Sequence, residues 1–189
     1  MRRLLMITAI SVMIFPMIIF AGSKKAGVVV TLSTPGIADI ISGGKTSTVK
    51  PYTEVNAGDI IELKKAGKIE IILSNFEKVV LKKEGKVKIK EDLSLVSLDG
   101  GQNSAVSKKN DKFSEDIAKD MSKDSTFAAG ASRGDSEITD KIKSEIADAE
   151  KIGDEFLKHT AKYYIYRKYN CKDAMSKEAK TLADMSKGK

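Results

Sequence analysis

The chain has few of the residues on which most catalytic and metal sites depend. Its 189 residues include one cysteine, one histidine and no tryptophan. One cysteine excludes an intrachain disulfide framework. A zinc site needs several Cys or His ligands, so we expect no metal and no cofactor. Apolar residues at 41% and charged residues at 31% nevertheless permit a folded core.

The first 23 residues have the pattern of an export signal. Met1-Arg2-Arg3 precede an uncharged run from Leu4 to Phe20, and the small residues Ala21-Gly22-Ser23 follow. A basic start, an apolar stretch and small residues at its end are typical of a secretory signal peptide. We therefore expect cleavage near residue 23 and a periplasmic or secreted protein. The alternative is an uncleaved N-terminal anchor, which would be the one membrane contact that the sequence predicts.

Charge is mixed along the whole chain. The net charge of +7 falls to +5 when Arg2 and Arg3 leave with the signal. Acidic and basic side chains alternate throughout the remainder, without the clustered basic face of a nucleic-acid-binding protein. The sequence thus predicts no nucleic-acid partner.

Residues 26–98 have β periodicity. Short β-type runs such as 28–32, 60–63, 78–81 and 87–89 are separated by turn residues, and Ile69, Ile71 and Leu73 share one face of a strand. Short strands at such intervals predict an antiparallel β sandwich or roll.

Residues 99–112 are polar and predict a linker, and residues 113–189 have helical spacing. We expect apolar stripes at Phe113 and Ile117, at Ile142 and Ile146, and later in the chain, with Asp135 or Ser136 capping one helix and Asp173 the last. Strands followed by helices predict an α+β fold. The helices could cover the sheet or form an independent arm, and the polar linker favours the arm.

Several motifs of the β half follow the order found in a known family. These motifs are Gly36-Ile37-Ala38-Asp39-Ile40, Val55-Asn56-Ala57-Gly58-Asp59-Ile60-Ile61, the segment 66–73, Lys78-Val79-Val80-Leu81 and Val87-Lys88-Ile89. Together they resemble the FecR-type periplasmic domain over about residues 28–98. The resemblance implies a non-catalytic β module, with Gly58 and Asp59 forming a structural turn.

The chain departs from that family in two places. Asn75-Phe76-Glu77 stand where the family usually has an Asp-Gly turn. Only three residues precede the apolar run, so we expect no counterpart of the cytoplasmic anti-sigma segment found in regulatory members. The resemblance therefore implies a secreted module and not transmembrane iron signalling.

Two motifs suggest chemistry that their surroundings do not support. Gly43-Gly44-Lys45-Thr46-Ser47 resembles part of a phosphate-binding loop, but the residues that follow are poor helix formers, so we expect a hairpin turn. His159 and Cys171 are twelve residues apart on a helical segment, too far along the axis for a thiol–imidazole pair. We therefore predict no enzyme activity. Cys171 could instead form an intermolecular disulfide.

Tyrosines crowd one helix beside cations. We expect Tyr163, Tyr166 and Tyr169, with Arg167, to offer a contact surface, since the four Tyr of this helix cannot all face inward. The sequence thus favours an exported, non-enzymatic envelope protein that acts through protein or envelope contacts. The alternative is a secreted protein that binds a carbohydrate or cell-wall ligand.

Overall fold

A computed structural model of the chain describes residues 24–99, 106–108, 113, 115–119 and 139–187. The predicted signal peptide and the helix caps proposed at Asp135 and Ser136 lie outside these residues. Short strands come first and helices follow, so the predicted α+β fold is confirmed. The strands are β1 (Lys25–Leu32), β2 (Ala38–Ser42), β3 (Lys45–Thr48), β4 (Glu54–Asn56), β5 (Ile60–Leu63), β6 (Ile69–Leu73), β7 (Lys78–Leu81), β8 (Gly85–Ile89), β9 (Leu95–Ser97) and β10 (Val106–Lys108). The helices whose bounds the structure describes are α1 (Asp140–Ala149), α2 (Glu155–Lys168) and α3 (Lys172–Lys187), and residues 113 and 115–119 are also helical.

The strands form two antiparallel sheets. The first, here called the helix-side sheet, has the order β10-β7-β6-β1-β4, and the second, the outer sheet, has the order β3-β2-β5-β8-β9. Irregular pairing interrupts β1 between Lys25 and Gly27 and again between Val29 and Thr31. Each irregularity sets an extra residue in β1, as in a β-bulge.

The two sheets face each other across one apolar core. The alternation predicted for β6 is confirmed, because Ile69, Ile71 and Leu73 all lie in this core at 0% exposure. Strands of the outer sheet contribute alternate residues such as Ile61 and Ile89. Period-2 burial on one face of each sheet is what joins them into a sandwich.

A second apolar core lies on the other face of the helix-side sheet. Val28, Val30 and Ile72 of β1 and β6 share one buried cluster with residues of α1, α2 and α3, and α2 contacts both strands. The large helical side chains that are fully buried in this core include Leu157, Ile165 and Leu182. The helices therefore cover the sheet, and the independent helical arm favoured by the sequence is wrong.

Two further predictions need correction. The segment assigned as a linker contains β10, whose residues Val106–Lys108 pair with β7. The last helix begins at Lys172, so Asp173 lies in its first turn and is not its cap. Thr139 is the N-cap of α1 but makes no side-chain capping hydrogen bond, whereas the Asp154 carboxylate caps α2 by accepting from the Leu157 amide.

Candidate functional site

A groove of about 620 Å³ separates the end of α2 from the helix-side sheet. Its floor comes from β1, β6 and β7, and one wall comes from the last turns of α2. Its described lining residues are Val30, Thr31, Leu32, Pro51, Tyr52, Lys68, Glu70, Lys78, Tyr164, Arg167 and Lys168. Four of these side chains are cationic and one is a carboxylate, so this lining is positively charged. The volume lies in the range typical of small-ligand sites.

The strand pattern explains the polar floor. Because Ile69 and Ile71 point into the sandwich core, Lys68 and Glu70 must point to the opposite face. Glu70 pairs with Val80 of β7, so Lys78, two residues before Val80, lies diagonally across on the same face. Lys68, Glu70 and Lys78 therefore meet on the helix side of the sheet, in the groove that the helices leave open.

Glu70 is the centre of this charged floor. Its residue is only 7% exposed, yet it accepts from three donors. The ammonium groups of Lys68 and Lys78 lie 2.7 and 3.1 Å from its Oε1, and the Thr31 hydroxyl donates to Oε2 at 3.0 Å. Burial opposes ionisation, but the bonds from the two lysines and from Thr31 prevail and lower the pKa of Glu70 below its ordinary value. The carboxylate thus holds two ammonium groups side by side.

The helical wall is fixed by a second carboxylate. Glu145 of α1 accepts from the Lys168 ammonium at 2.9 Å and from the Tyr169 hydroxyl at 2.7 Å. It also accepts a hydrogen bond from the Tyr52 hydroxyl. Burial of Tyr52, together with the negative charge of Glu145, raises the pKa of that hydroxyl. One carboxylate therefore joins α1, the end of α2 and the loop before β4, and it sets where Lys168 enters the groove.

Only part of the predicted tyrosine surface is accessible. Tyr163 is 1% exposed and packs in the helical core, so its assignment to a contact surface is wrong. Its ring meets that of Tyr164 edge-on, with centroids 5.5 Å apart. Tyr166 and Tyr169 are half-buried, and Arg167 is exposed at the groove. Of the predicted set, Arg167 alone lines the groove.

The structure keeps His159 and Cys171 in different surroundings. His159 Nδ1 lies 2.5 Å from Glu178 Oε2, which joins α2 to α3. Cys171 lies between α2 and α3 at 3% exposure. A disulfide between two chains would need this thiol at the surface, so the burial of Cys171 contradicts that prediction.

Two predicted turns have the geometry their residues imply. Gly58 has a φ of +93°, and the Asp59 carboxylate accepts from the Asn56 amide at 2.8 Å. Gly43 and Gly44 both have positive φ and connect β2 to β3, whose ends pair at Ser42 and Lys45. The Gly43-Gly44 segment is therefore a hairpin turn and not a phosphate-binding loop.

The groove residues Tyr52, Lys68, Glu70 and Lys78 did not emerge as site residues from the sequence. One signal was present: Lys68 and Glu70 occupy alternate positions of a strand whose other face is wholly apolar. That pattern predicts a polar face, but it does not show that a helix crosses it.

In the described part of the chain, no three His, Cys, Asp or Glu side chains are grouped so as to hold a metal ion. Nor does any helix within the described ranges have the length and apolar character needed to cross a membrane.

Comparisons with known proteins give little further information. No family model and no curated protein matches the chain. One solved structure, described as a "Cell surface anchoring domain", is similar at a TM-score of 0.33 and 16% identity. The match covers 42% of this chain and 99% of that one. A similarity this low carries no argument about function.

Proposed function

We propose that this chain is an exported, non-enzymatic protein of the bacterial envelope that holds an anionic partner in the groove beside α2. The export signal predicted for residues 1–23 and the predicted FecR-like order of motifs support the location and the class. In this proposal the β sandwich is a rigid support, and the helices complete the binding site.

The observation that carries the proposal is the charge of the groove. The basic side chains lie on both sides of the groove, Lys68 and Lys78 on its floor and Arg167 and Lys168 on its helical wall. The single carboxylate among the described lining residues already accepts from both sheet lysines. A concave basic surface attracts anions more strongly than a flat one, because its low-dielectric walls concentrate the field.

Binding of polyanions by the full chain tests this. We expect one or more of polyglutamate, polygalacturonate and vesicles containing phosphatidylglycerol to bind at low salt, with affinity falling as salt rises. The groove variant Arg167→Gln/Lys168→Gln should lose about tenfold in affinity, equivalent to about 1.4 kcal/mol. The control Lys88→Gln/Lys90→Gln removes the same charge from exposed positions in β8 and directly after it, and it should change affinity less than about twofold.

The proposal fails if none of the three probes binds. It also fails if the groove and control variants weaken binding equally, since the attraction would then be general and not centred on the groove. Thermal unfolding of both variants checks that each is folded when the affinity is measured.

A carbohydrate or cell-wall ligand is the second candidate, and the tyrosines of the groove favour it. Tyr52 and Tyr164 line the groove together with Pro51 and Val30, which gives it an apolar side next to its cations. Aromatic rings beside cations are suited to stack a flat ring while an anionic group is held nearby. Preference for polygalacturonate over polyglutamate at equal charge would select this candidate, and the reverse preference would select an acidic protein segment.

A further inference from the structure

The two lysines on the floor of the groove are not independent surface charges. Lys68 and Lys78 come from different strands, and their ammonium groups converge on one oxygen, Oε1 of Glu70. Each ammonium has three donors and directs one of them to this oxygen. The Thr31 hydroxyl on Oε2 fixes the carboxylate plane from the opposite side.

This arrangement restricts two long side chains. An exposed lysine samples many rotamers, and immobilising it on a ligand costs conformational entropy. Two ammonium groups alone would also repel each other and separate into solvent. The buried carboxylate removes both obstacles, because it holds the two positive groups near a common point before any ligand arrives.

We propose that Lys68, Lys78 and Arg167 form a phosphate-binding clamp in which Glu70 is the positioning residue, and that the ligand is a phosphorylated sugar. This rests on the proposed binding function and names the chemistry of its ligand. A tetrahedral phosphate can accept from several directions at once, which suits ammonium and guanidinium groups on facing walls. A phosphate also brings up to two negative charges to a lining in which cations outnumber the carboxylate by three.

The sugar is inferred from the rest of the groove. Tyr52 and Tyr164 supply rings next to the cations, and Val30 supplies an apolar part of the floor. The volume of about 620 Å³ accommodates more than an inorganic ion, so the phosphate is expected to carry an organic group.

Titration of the full chain with four small probes tests the ligand class. We expect glucose 1-phosphate to bind best, inorganic phosphate and glucuronate each about tenfold more weakly, and glucose not at all. Equal binding of glucuronate and glucose 1-phosphate would overturn the phosphate assignment. Equal binding of inorganic phosphate would overturn the sugar assignment. If polyanions bind through the groove while no sugar phosphate does, this inference fails and the proposed function stands.

The role of Glu70 has its own test, because two models predict opposite signs. Simple Coulomb repulsion predicts that Glu70→Gln strengthens the binding of an anion by removing a negative charge. The clamp predicts that the same variant weakens glucose 1-phosphate binding about fivefold, since the two lysines are no longer held together. Glu70→Asp keeps the charge and should recover part of the loss, which a loss caused by altered packing alone would not predict.

Two controls make this result decisive. Glu62→Gln removes the carboxylate that pairs with Lys86 on the outer sheet at 3.5 Å, and it should leave affinity unchanged. Lys68→Ala, at a half-exposed side chain, tests the clamp should Glu70→Gln not fold. Stronger binding by Glu70→Gln, or full affinity in Lys68→Ala, would overturn the clamp.

Discussion

The two sheets share one core but differ on the faces that point away from it. The helix-side sheet buries Val28, Val30 and Ile72 under the helices. The corresponding face of the outer sheet has a cross-strand row of Ile41, Ile60, Lys88 and Val96, in which the apolar residues are only half-buried. On the first face, Val28 and Ile72 are cross-strand partners and Val30 lies two residues further along β1, so these apolar residues adjoin one another, whereas Lys88 interrupts the apolar row of the second face. Continuity is thus what distinguishes a face that receives helices.

The ion pairs of the two sheets also differ in how deeply their carboxylates are buried. On the outer sheet, Glu62 and Lys86 pair 3.5 Å apart with side chains 33% and 41% exposed. On the helix-side sheet, Glu70 accepts two lysines and a hydroxyl with a side chain 9% exposed. Exposed ion pairs contribute little to the free energy of unfolding, whereas a buried carboxylate that loses its partners destabilises the fold. Glu70, a charged strand residue on the helix side of its sheet, is therefore held more firmly by its partners than Glu62 is.

The largest expected effect comes from truncating the covered face. Ile72→Ala should lower the free energy of unfolding by about 3 kcal/mol, because it removes methylene groups from the contact between sheet and helices. The matched change Ile60→Ala on the outer sheet should cost about 1 kcal/mol, since that side chain is already half solvated. Urea unfolding monitored by circular dichroism measures both, and equal losses would contradict the covering of one face only.

A glycine on β1 gives the next effect. A Cβ at Gly27 would lie 2.7 Å from the Ile72 carbonyl oxygen and 3.0 Å from a Leu73 methyl group. Gly27→Ala should therefore destabilise by about 2 kcal/mol through strain in the β1–β6 pairing. Gly43→Asn in the outer-sheet hairpin should stay within about 0.5 kcal/mol, because its turn is open and Asn tolerates positive φ. A thermal melt of each variant would show the contrast, and a neutral Gly27→Ala would argue against close strand approach.

Acid should destabilise the helix-side sheet through Glu70. Its folded pKa is lower than its unfolded one, so its stabilisation is complete above the ordinary Glu pKa and is lost as pH falls through the folded value. We expect a loss of about 1.5 kcal/mol from the charge-assisted bonds, and Glu70→Gln should lack this part of the pH dependence. Unfolding free energies measured across the acidic range check this. An identical acid profile in wild type and Glu70→Gln would contradict it, and Glu62→Gln is the control that keeps Glu70.

The helix caps give the smallest effect. Asp154→Ala should cost about 1 kcal/mol, because its carboxylate accepts from the Leu157 amide at 2.9 Å. Thr139→Ala should cost no more than a few tenths, since Thr139 makes no capping hydrogen bond. Comparable losses in the two variants, measured by urea unfolding, would show that the caps do not differ.

The class of fold could be predicted from the sequence because its periods are local. The alternation of Ile69, Ile71 and Leu73 and the helical spacing after residue 139 both survive in the structure. The sequence also contains a sign that the helices cover one face of the sheet. Val28-Val29-Val30 is a continuous apolar run, which indicates a strand buried on both faces.

The groove could not be predicted in the same way. Its residues come from β1, the loop before β4, the β6 and β7 pair and the end of α2, and only tertiary packing brings them together. Tyr163 shows the related difficulty for the helices. Its neighbours are polar and aromatic, so periodicity alone does not reveal that its ring is among the most buried side chains described.

The position of the one cysteine makes the helical layer separately observable. Cys171 lies at 3% exposure directly after Asn170, whose φ of +56° marks the bend between α2 and α3. A water-soluble thiol reagent can reach it only when those two helices part. Because the chain has no second thiol, the labelling rate reports on local opening of the helices at this one site. Comparing the labelling rate with the rate of global unfolding would show whether the helical layer opens before the β sandwich does.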